Sequence, residues 1–265
     1  MRKLTRVLLL AGVVTAGAPA AVLAADAPAA PAPTPDNVFT ANVGVYSQYI
    51  FRGLTQTNEK PALQGGFDWS HSSGLYAGVW GSNISWISDF APGTSASLES
   101  DFYGGYKPTF GDFFVDVGAL RYQYFGSYLP GAIKPNTTEL YLAGGWKTIS
   151  LKYSHSLGDT FGVCDADGTY YLDLTGSWSF GDFTVLGHAG RQKYKGNCNG
   201  VDSNVASYSD YKVEGSYAFG TGWSVGAGYT TTNADSGNTK AFYTPASTNN
   251  FIGDDFFYAF LKRTF

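Results

Sequence analysis

Any catalytic chemistry must come from few residues, because the chain contains only three histidines and two cysteines. A serine nucleophile needs its base within hydrogen-bond reach. His155 lies on the apolar face of an alternating segment, and two residues further on that face presents Leu157, where a lipid hydrolase would need its serine. Ser154 and Ser156 belong to the opposite face. The spacing therefore predicts that the chain is not an enzyme.

The other histidines and the cysteines do not have the spacing of a metal site. His188 lies in the polar phase of its segment, and His71 stands beside a turn. Cys164 and Cys198 fall in two long polar connections that contain no histidine, which is a poor ligand set for zinc. In an oxidising compartment a Cys164–Cys198 disulfide is expected if the two Cα atoms lie within about 7 Å. We expect neither a metal nor another cofactor.

The amino terminus predicts export. A basic start and an apolar run end at Val22-Leu23-Ala24, so residues 1–24 have the pattern of a signal peptide, the alternative being a transmembrane anchor. Residues 25–36, rich in Ala and Pro, predict a disordered lead-in. No later stretch reaches the ~20 consecutive apolar residues of a spanning helix. Residence in a membrane would therefore depend on β-strands.

Short turns alternate with long polar connections from residue 37 to Phe265. The turns are Ser72-Ser73-Gly74, Phe110-Gly111-Asp112, Lys147-Thr148, Gly181-Asp182 and Gly220-Thr221-Gly222. The long connections fall near 53–60, 87–97, 126–137, 158–168, 195–206 and 233–250. Short turns on one rim and long loops on the other are typical of an outer-membrane β-barrel. A soluble β-sandwich, the alternative, does not require this alternation.

The segments between the turns predict twelve strands. They cover approximately 38–52, 61–71, 75–86, 98–109, 113–125, 138–146, 149–157, 169–180, 183–194, 207–219, 223–232 and 252–265. Most exceed the ~9–11 residues that cross the hydrocarbon when tilted. Residues 37–265 are therefore expected to form an all-β, twelve-stranded, antiparallel up-and-down transmembrane barrel. An even number of strands places both termini at the periplasmic rim.

Alternation assigns the two faces of each strand. In the eighth strand Leu172 and Leu174 are predicted to meet lipid, and Asp173 and Thr175 to meet the lumen. The fifth strand is irregular, because its apolar phase changes near Gly118. Either a β-bulge shifts the phase there or the upper half projects beyond the hydrocarbon.

The polar phases of the strands bring many charged residues to the predicted lumen. The candidate lumen and selectivity residues are Arg52, Asp68, Glu99, Asp101, Asp116, Glu139, Lys152, Asp173, His188, Asp210, Lys212 and Glu214. Twelve tilted strands give a backbone radius of roughly 12 Å, which side chains narrow to a gap on the order of 10 Å. Because acidic residues predominate, we expect passive diffusion of small hydrophilic solutes with a modest cation preference.

Two other functions remain open. Inward charges could pair across the lumen and fill it, and the long loops, 233–250 above all, could serve a non-conducting receptor or adhesin. Removal of three basic residues with the signal changes the formal net charge from −4 to −7, so nucleic acid is not an expected partner. Outward aromatic residues suit outer-membrane lipid or a partner barrel in a homo-oligomer.

Two stretches carry a family resemblance. The run VYSQYIFRGLTQTNEKPALQGGFDWSHSSGLYAGVWGSNISW from Val45 to Trp86 and the run LESDFYGGYK from Leu98 to Lys107 resemble the TorF-type family of proteobacterial porins. The resemblance implies a twelve-stranded outer-membrane barrel and assigns no substrate. The end at Phe265 resembles the signature that the barrel-assembly machinery recognises after delivery by periplasmic chaperones, although Arg263 departs from it.

Overall fold

A computed structural model describes residues 35–265, and the predicted signal peptide and most of the predicted lead-in lie outside these residues. Twelve long strands form one closed antiparallel barrel, as the alternation predicted. They are β1 Asn37–Tyr46, β2 Ala62–His71, β3 Leu75–Asn83, β4 Leu98–Tyr106, β5 Phe113–Phe125, β6 Thr137–Trp146, β7 Ile149–Ser156, β8 Tyr170–Phe180, β9 Phe183–Lys193, β10 Tyr208–Phe219, β11 Trp223–Thr232 and β12 Phe256–Thr264.

Each strand pairs with its two neighbours in the chain, and pairing of β1 with β12 closes the barrel. Because a strand is pleated, its successive side chains point alternately to the outer surface and to the lumen. In β8, Leu174 and Trp178 are 49% and 45% exposed on the outer surface, whereas Asp173 and Thr175 are buried inside. This arrangement suits a bilayer, since a charged side chain facing the mid-membrane costs roughly 2–4 kcal/mol for Arg or Lys.

The five short turns join the strands on one rim, and the six long connections lie on the other. Thr109–Phe110 pairs with Phe113–Phe114 and extends the turn between β4 and β5 beyond the wall. The long connections contain helix α1 (Trp86–Phe90), helix α2 (Gly237–Phe242), a 3-10 turn (Ser203–Ala206) and a small hairpin formed by Asn197–Cys198 and Val201–Asp202. Within residues 35–265 no helix has the length and apolar character needed to cross a membrane.

The predicted first strand extends beyond the observed one at its carboxyl end, where the chain leaves the barrel wall. The wall strand ends at Tyr46, not at residue 52, and the chain turns into the barrel. There Ile50–Phe51 pairs with Leu54–Thr55 in a short hairpin, which we call the inserted hairpin. Three other predicted strands were also too long, because β3 ends at Asn83, β4 ends at Tyr106 and β12 begins at Phe256.

The bulge considered for the fifth strand is wrong. Gly118 pairs with Gly105 on one side and Tyr141 on the other in continuous register. Alternation along β5 is therefore unbroken, and Leu120 and Tyr122 face the lumen, where both are buried. These apolar residues point inward because they pack against the inserted hairpin and its neighbours rather than against lipid.

A disulfide joins Cys164 to Cys198, with 4.9 Å between their Cα atoms. It ties the connection between β7 and β8 to the connection between β9 and β10, so the two loops flanking one hairpin are cross-linked. The same two loops also pack together, with Val163 and Ala166 of the first in one buried cluster with Tyr194 and Ala206 of the second. Lys195 donates its backbone N–H to the hydroxyl of Thr169 over 3.1 Å.

We expect a Cys164→Ser/Cys198→Ser variant to keep the barrel but to open these loops. A disulfide typically contributes ~2–4 kcal/mol, so trypsin should cleave after Lys195 roughly tenfold faster or more. Cleavage after the exposed Lys240, in the connection between β11 and β12, is the internal control and should be unchanged. Limited proteolysis followed by mass spectrometry measures both rates, and equal rates at Lys195 in the two proteins would contradict the loop-tethering role.

Candidate functional site

The inserted hairpin lies inside the barrel and is shaped by its turn. Arg52 and Gly53 form the turn with positive φ angles of 47° and 80°. A Cβ atom on residue 53 would lie 2.7 Å from the Cβ of Asp210 and 2.6 Å from the Cγ2 of Thr232. Only glycine fits this approach, because an L side chain would meet both the neighbouring wall and an unfavourable backbone conformation.

Hydrogen bonds from distant parts of the chain hold the hairpin in the lumen. The N–H of Thr55 donates to the carbonyl of Ile252 over 2.8 Å, and the N–H of Ser47 donates to the carbonyl of Ala259 over 2.8 Å. The hydroxyl of Tyr208 donates to the carbonyl of Arg52 over 2.9 Å. These bonds satisfy backbone groups that have left the wall, and they fix the position of the turn relative to β10 and β12.

Arg52 forms a buried ion pair with Glu139 of β6. Its Nη2 lies 2.7 Å from one carboxylate oxygen and its Nη1 lies 3.0 Å from the other, so the pair is bidentate. Nη1 also donates to the side-chain oxygen of Gln192 on β9 over 2.7 Å. The ring of Tyr171 lies 4.2 Å from the guanidinium carbon. One side chain thus links the hairpin to opposite parts of the wall.

The charge of Arg52 is maintained in spite of burial. Desolvation, the largest single effect, lowers the pKa of the guanidinium, but Glu139, Tyr122 and Tyr171 together raise it by more, and the net pKa lies well above its ordinary value. The guanidinium therefore stays ionised. A bidentate guanidinium–carboxylate pair in a low-dielectric setting is a strong, directional contact.

Two further carboxylates lie on β4 beside the hairpin. Glu99 accepts a hydrogen bond from the hydroxyl of Tyr49 over 3.1 Å and is almost fully buried. Asp101 is 0% exposed, and neither of its carboxylate oxygens has a hydrogen-bond partner among the described residues. Its neighbours in the register are Trp80 and Tyr122. Acidic side chains therefore outnumber the single arginine beside the inserted hairpin.

His188 lies between two carboxylates on the wall opposite β4. Its Nε2 is 2.9 Å from a carboxylate oxygen of Asp210, and its Nδ1 is 3.2 Å from one of Asp173. The hydroxyl of Tyr171 donates to Asp210 over 2.9 Å. In residues 35–265 no group of three or more His, Cys, Asp and Glu side chains has the geometry of a metal site. The cluster is a hydrogen-bonded polar network of the lumen wall.

Tyrosines also satisfy carboxylates near the short-turn rim. Asp68 accepts a hydrogen bond from Tyr103, and Asp116 accepts one from Tyr76 over 2.6 Å. Glu214 accepts one from Tyr258 over 2.6 Å. These side chains extend inward from neighbouring strands. These tyrosines therefore satisfy the carboxylates by hydrogen bonding.

The remaining predicted lumen residues are cationic. Lys152 lies 4.0 Å from the ring of Tyr141, and Lys212 lines an internal cavity. Eleven of the twelve candidate residues lie on barrel strands with their side chains inside, and Arg52 reaches the lumen from the inserted hairpin. Lys262 was missed, although its place between the outward Leu261 and Arg263 in the alternation could have revealed it.

The hairpin separates two cavities. The outer vestibule has a volume of about 480 Å³ and is lined by residues from all six long connections, whereas the inner cavity has about 220 Å³. The inner cavity is lined by His188, Lys212, Glu214 and Lys262. Arg52, with Phe51, lines both, so the ion pair stands at the boundary between them.

The residues considered for lipid hydrolysis are separated by the wall. Tyr153 and Nδ1 of His155 share a hydrogen bond of 3.0 Å on the outer side. Ser154 and Ser156 are buried on the inner side. The histidine and the serines therefore lie on opposite faces of the same strand, as their spacing in the sequence indicated.

Comparisons with known proteins agree with the fold. A family model described as a bacterial protein of unknown function (Gcw_chp) matches residues 29–265. The KdgM porin is 11% identical, with 85% of this chain and 98% of that chain covered and a TM-score of 0.53. The COG4313 outer membrane channel from Pseudomonas putida F1 is 10% identical, with 91% and 100% covered and a TM-score of 0.52. No curated protein has significant sequence similarity to the chain.

The ion pair should be a strongly coupled element of stability. Glu139→Ala leaves Arg52 buried and unpaired, and we expect it to lower the free energy of unfolding by ~3–5 kcal/mol. The double variant Arg52→Met/Glu139→Leu should lower the free energy of unfolding by less than the sum of the decreases caused by Arg52→Met alone and by Glu139→Leu alone. Urea titration followed by the electrophoretic shift of folded barrel measures this. Arg121→Ala, on the outer face, is the matched control, and additive effects of the two pair variants would contradict the coupling.

Proposed function

The chain belongs to the Gcw_chp family of bacterial proteins of unknown function, and we propose that it is an outer-membrane channel for the passive diffusion of small hydrophilic solutes. The observation that carries the proposal is the division of the lumen into two cavities that meet at the Arg52–Glu139 pair. A barrel divided in this way has open space on both sides of one defined point of control, the hairpin. Its fold, shared with the KdgM porin, supports the same function.

The inserted hairpin would act as the constriction of this channel. Only two residues on each side of its turn pair with each other, so local pairing contributes little to its position. Its position depends on the long-range contacts of Arg52, Thr55 and Tyr208. Rearrangement of that small set of contacts would widen the path without disturbing the twelve wall strands.

The acidic residues around the constriction favour cations. Glu99, Asp101 and Glu139 are buried close to the hairpin, and Arg52 pairs with Glu139. Rings of acidic side chains raise the local concentration of cations and repel anions when they are ionised. We therefore expect a modest cation preference, with the acidic residues of β4 among its determinants.

Location and assembly follow the same proposal. The predicted signal peptide would deliver the chain to the periplasm, and the outward apolar band would meet outer-membrane lipid. The end at Phe265 would be recognised by the barrel-assembly machinery. The resemblance to the TorF-type porins supports this assignment, and association into a homo-oligomer would use the same outward aromatic surface.

A second function is favoured by one observation, the filling of the lumen by the inserted hairpin. A barrel that remained closed in this way would not conduct and would act at the cell surface through its long loops. The two functions differ in one measurable property, the single-channel conductance of the purified barrel.

We expect the mature barrel to give discrete, salt-dependent conductance steps in a planar bilayer. Replacement of residues 48–58 by a short Gly-Ser linker should enlarge these steps several-fold, because it removes the constriction. Arg121→Ala, which changes an arginine of the outer face, should leave them unchanged. Silence from both the folded wild type and the linker variant would reject the channel in favour of the surface receptor or adhesin.

The acidic residues of β4 should determine ion preference. We expect Glu99→Gln/Asp101→Asn to move the reversal potential in a salt gradient towards zero, since two acidic side chains leave the constriction. Asp182→Asn, in the short turn between β8 and β9, is the matched control and should keep the wild-type value. A reversal potential unchanged by the β4 double substitution would remove these residues as selectivity determinants.

A further inference from the structure

We propose that the outer vestibule is a binding site for uncharged aromatic compounds of two to three rings that carry oxygen acceptors. Its volume of about 480 Å³ lies within the ordinary range of small-molecule pockets, ~300–1,000 Å³. It is roughly three times the ~150 Å³ cavity that accommodates benzene, which sets the size of the ligand. This inference goes beyond conduction, because occupancy of the vestibule does not require passage through the constriction.

Aromatic rings form much of the vestibule wall. Phe51, on the inserted hairpin, lies 5.6 Å from Phe161 in an edge-to-face arrangement. Trp86, on α1, lies 5.6 Å from Tyr124 with an angle of 88° between the ring planes. Edge-to-face pairs of this kind leave ring faces and edges available to a further ring. A flat aromatic ligand can therefore be enclosed on several sides.

The vestibule also contains polar atoms without partners. Nε of Arg52, Nε1 of Trp86, Oγ1 of Thr94 and Oγ of Ser203 are buried and have no hydrogen-bond partner among the described residues. The first two can only donate, and the hydroxyls can donate as well. A buried donor left unpaired costs ~1–3 kcal/mol. These atoms have almost no accessible surface, so a ligand oxygen would reach them through small rotations of the side chains that carry them. Such pairing would favour an oxygen-bearing molecule over a hydrocarbon.

Charge narrows the ligand class further. Arg52 is the one charged residue in the vestibule lining, and both of its Nη atoms are already engaged by Glu139 and Gln192. An ionic ligand would lose its hydration without gaining a free counter-charge. A sugar would face mostly aromatic and aliphatic walls, whose few polar groups can pair with only part of its many hydroxyl groups. Uncharged oxygenated aromatic compounds meet both conditions.

Isothermal titration calorimetry of the full mature barrel in detergent tests the proposal. The probe is naringenin, an uncharged flavanone with ether, carbonyl and hydroxyl oxygens, and sucrose is the hydrophilic probe of comparable size. We expect saturable binding of naringenin at one site per barrel and no binding of sucrose. Heat equal to that of protein-free micelles, or equal binding of the two probes, would overturn the proposal.

Matched variants separate the vestibule from the detergent-covered surface. Trp86→Phe keeps a ring and removes the N–H, and Thr94→Val keeps the shape and removes the hydroxyl. Each should weaken naringenin binding roughly five- to tenfold, as expected for one lost hydrogen bond. Trp178→Phe, on the outer face of β8, should have no effect. Unchanged affinity in both vestibule variants would overturn the assignment even if naringenin binds.

The vestibule site and the channel can be rejected independently of each other. Naringenin binding by a barrel that is silent in a bilayer would support the vestibule site while rejecting the channel. Conductance without naringenin binding would reject the vestibule site while supporting the channel. The binding measurement uses folded protein in micelles, so neither result depends on the other.

Discussion

The buried pair of Arg52 and Glu139 is the contact on which the interior of this barrel depends. Its two charges lie 2.7 Å apart, and together they are almost completely removed from solvent. Moving a lone guanidinium into such a place is costly, and a buried pair is tolerated only with good geometry and further hydrogen bonds. Here the pairing is bidentate and Gln192 accepts an additional bond. The hairpin that carries Arg52 is thereby held across the lumen.

The membrane imposes the second constraint, which acts on the wall. Lipid requires apolar side chains on the outside, and the two-residue repeat of a strand then sends nearly every polar residue inside. The interior must satisfy those groups without bulk water. Tyr76 and Tyr258 donate to Asp116 and Glu214, and the imidazole of His188 bridges Asp173 and Asp210. The lumen is consequently a hydrogen-bonded polar interior, with the ion pair at its narrowest part.

The parts of this structure that local chemistry controls could be predicted from the sequence. Alternation and turn residues are local signals, so the twelve strands and five turns were found, and β5 and β11 were placed at their observed bounds. Residues 47–52 were wrongly assigned to the first wall strand because they continue its alternating pattern. Their inward course depends on contacts as distant as Thr55 with Ile252 and Arg52 with Glu139, which no short window contains.

Dependence on distant contacts also explains why the apolar phase of the fifth strand was misinterpreted. Leu120 and Tyr122 look like lipid-facing residues, and a bulge would have been needed to turn them outward. Because the hairpin supplies a ring, Phe51, at 5.6 Å from Tyr122, the inward apolar residues have a partner and the register stays continuous. An apolar phase inside a barrel strand thus indicates that part of the chain occupies the lumen, a signal that could be sought in other barrel sequences.

The two halves of the lumen place opposite demands on anything that crosses it. The outer vestibule is aromatic and contains a single, already paired charge, whereas the inner cavity is lined by His188, Asp210, Lys212 and Glu214. In the proposed channel, a small hydrophilic solute would therefore meet aromatic rings in the outer vestibule and charged side chains only at the Arg52–Glu139 pair and in the inner cavity. Discrimination by charge would consequently act at the hairpin and beyond it, and not at the entrance.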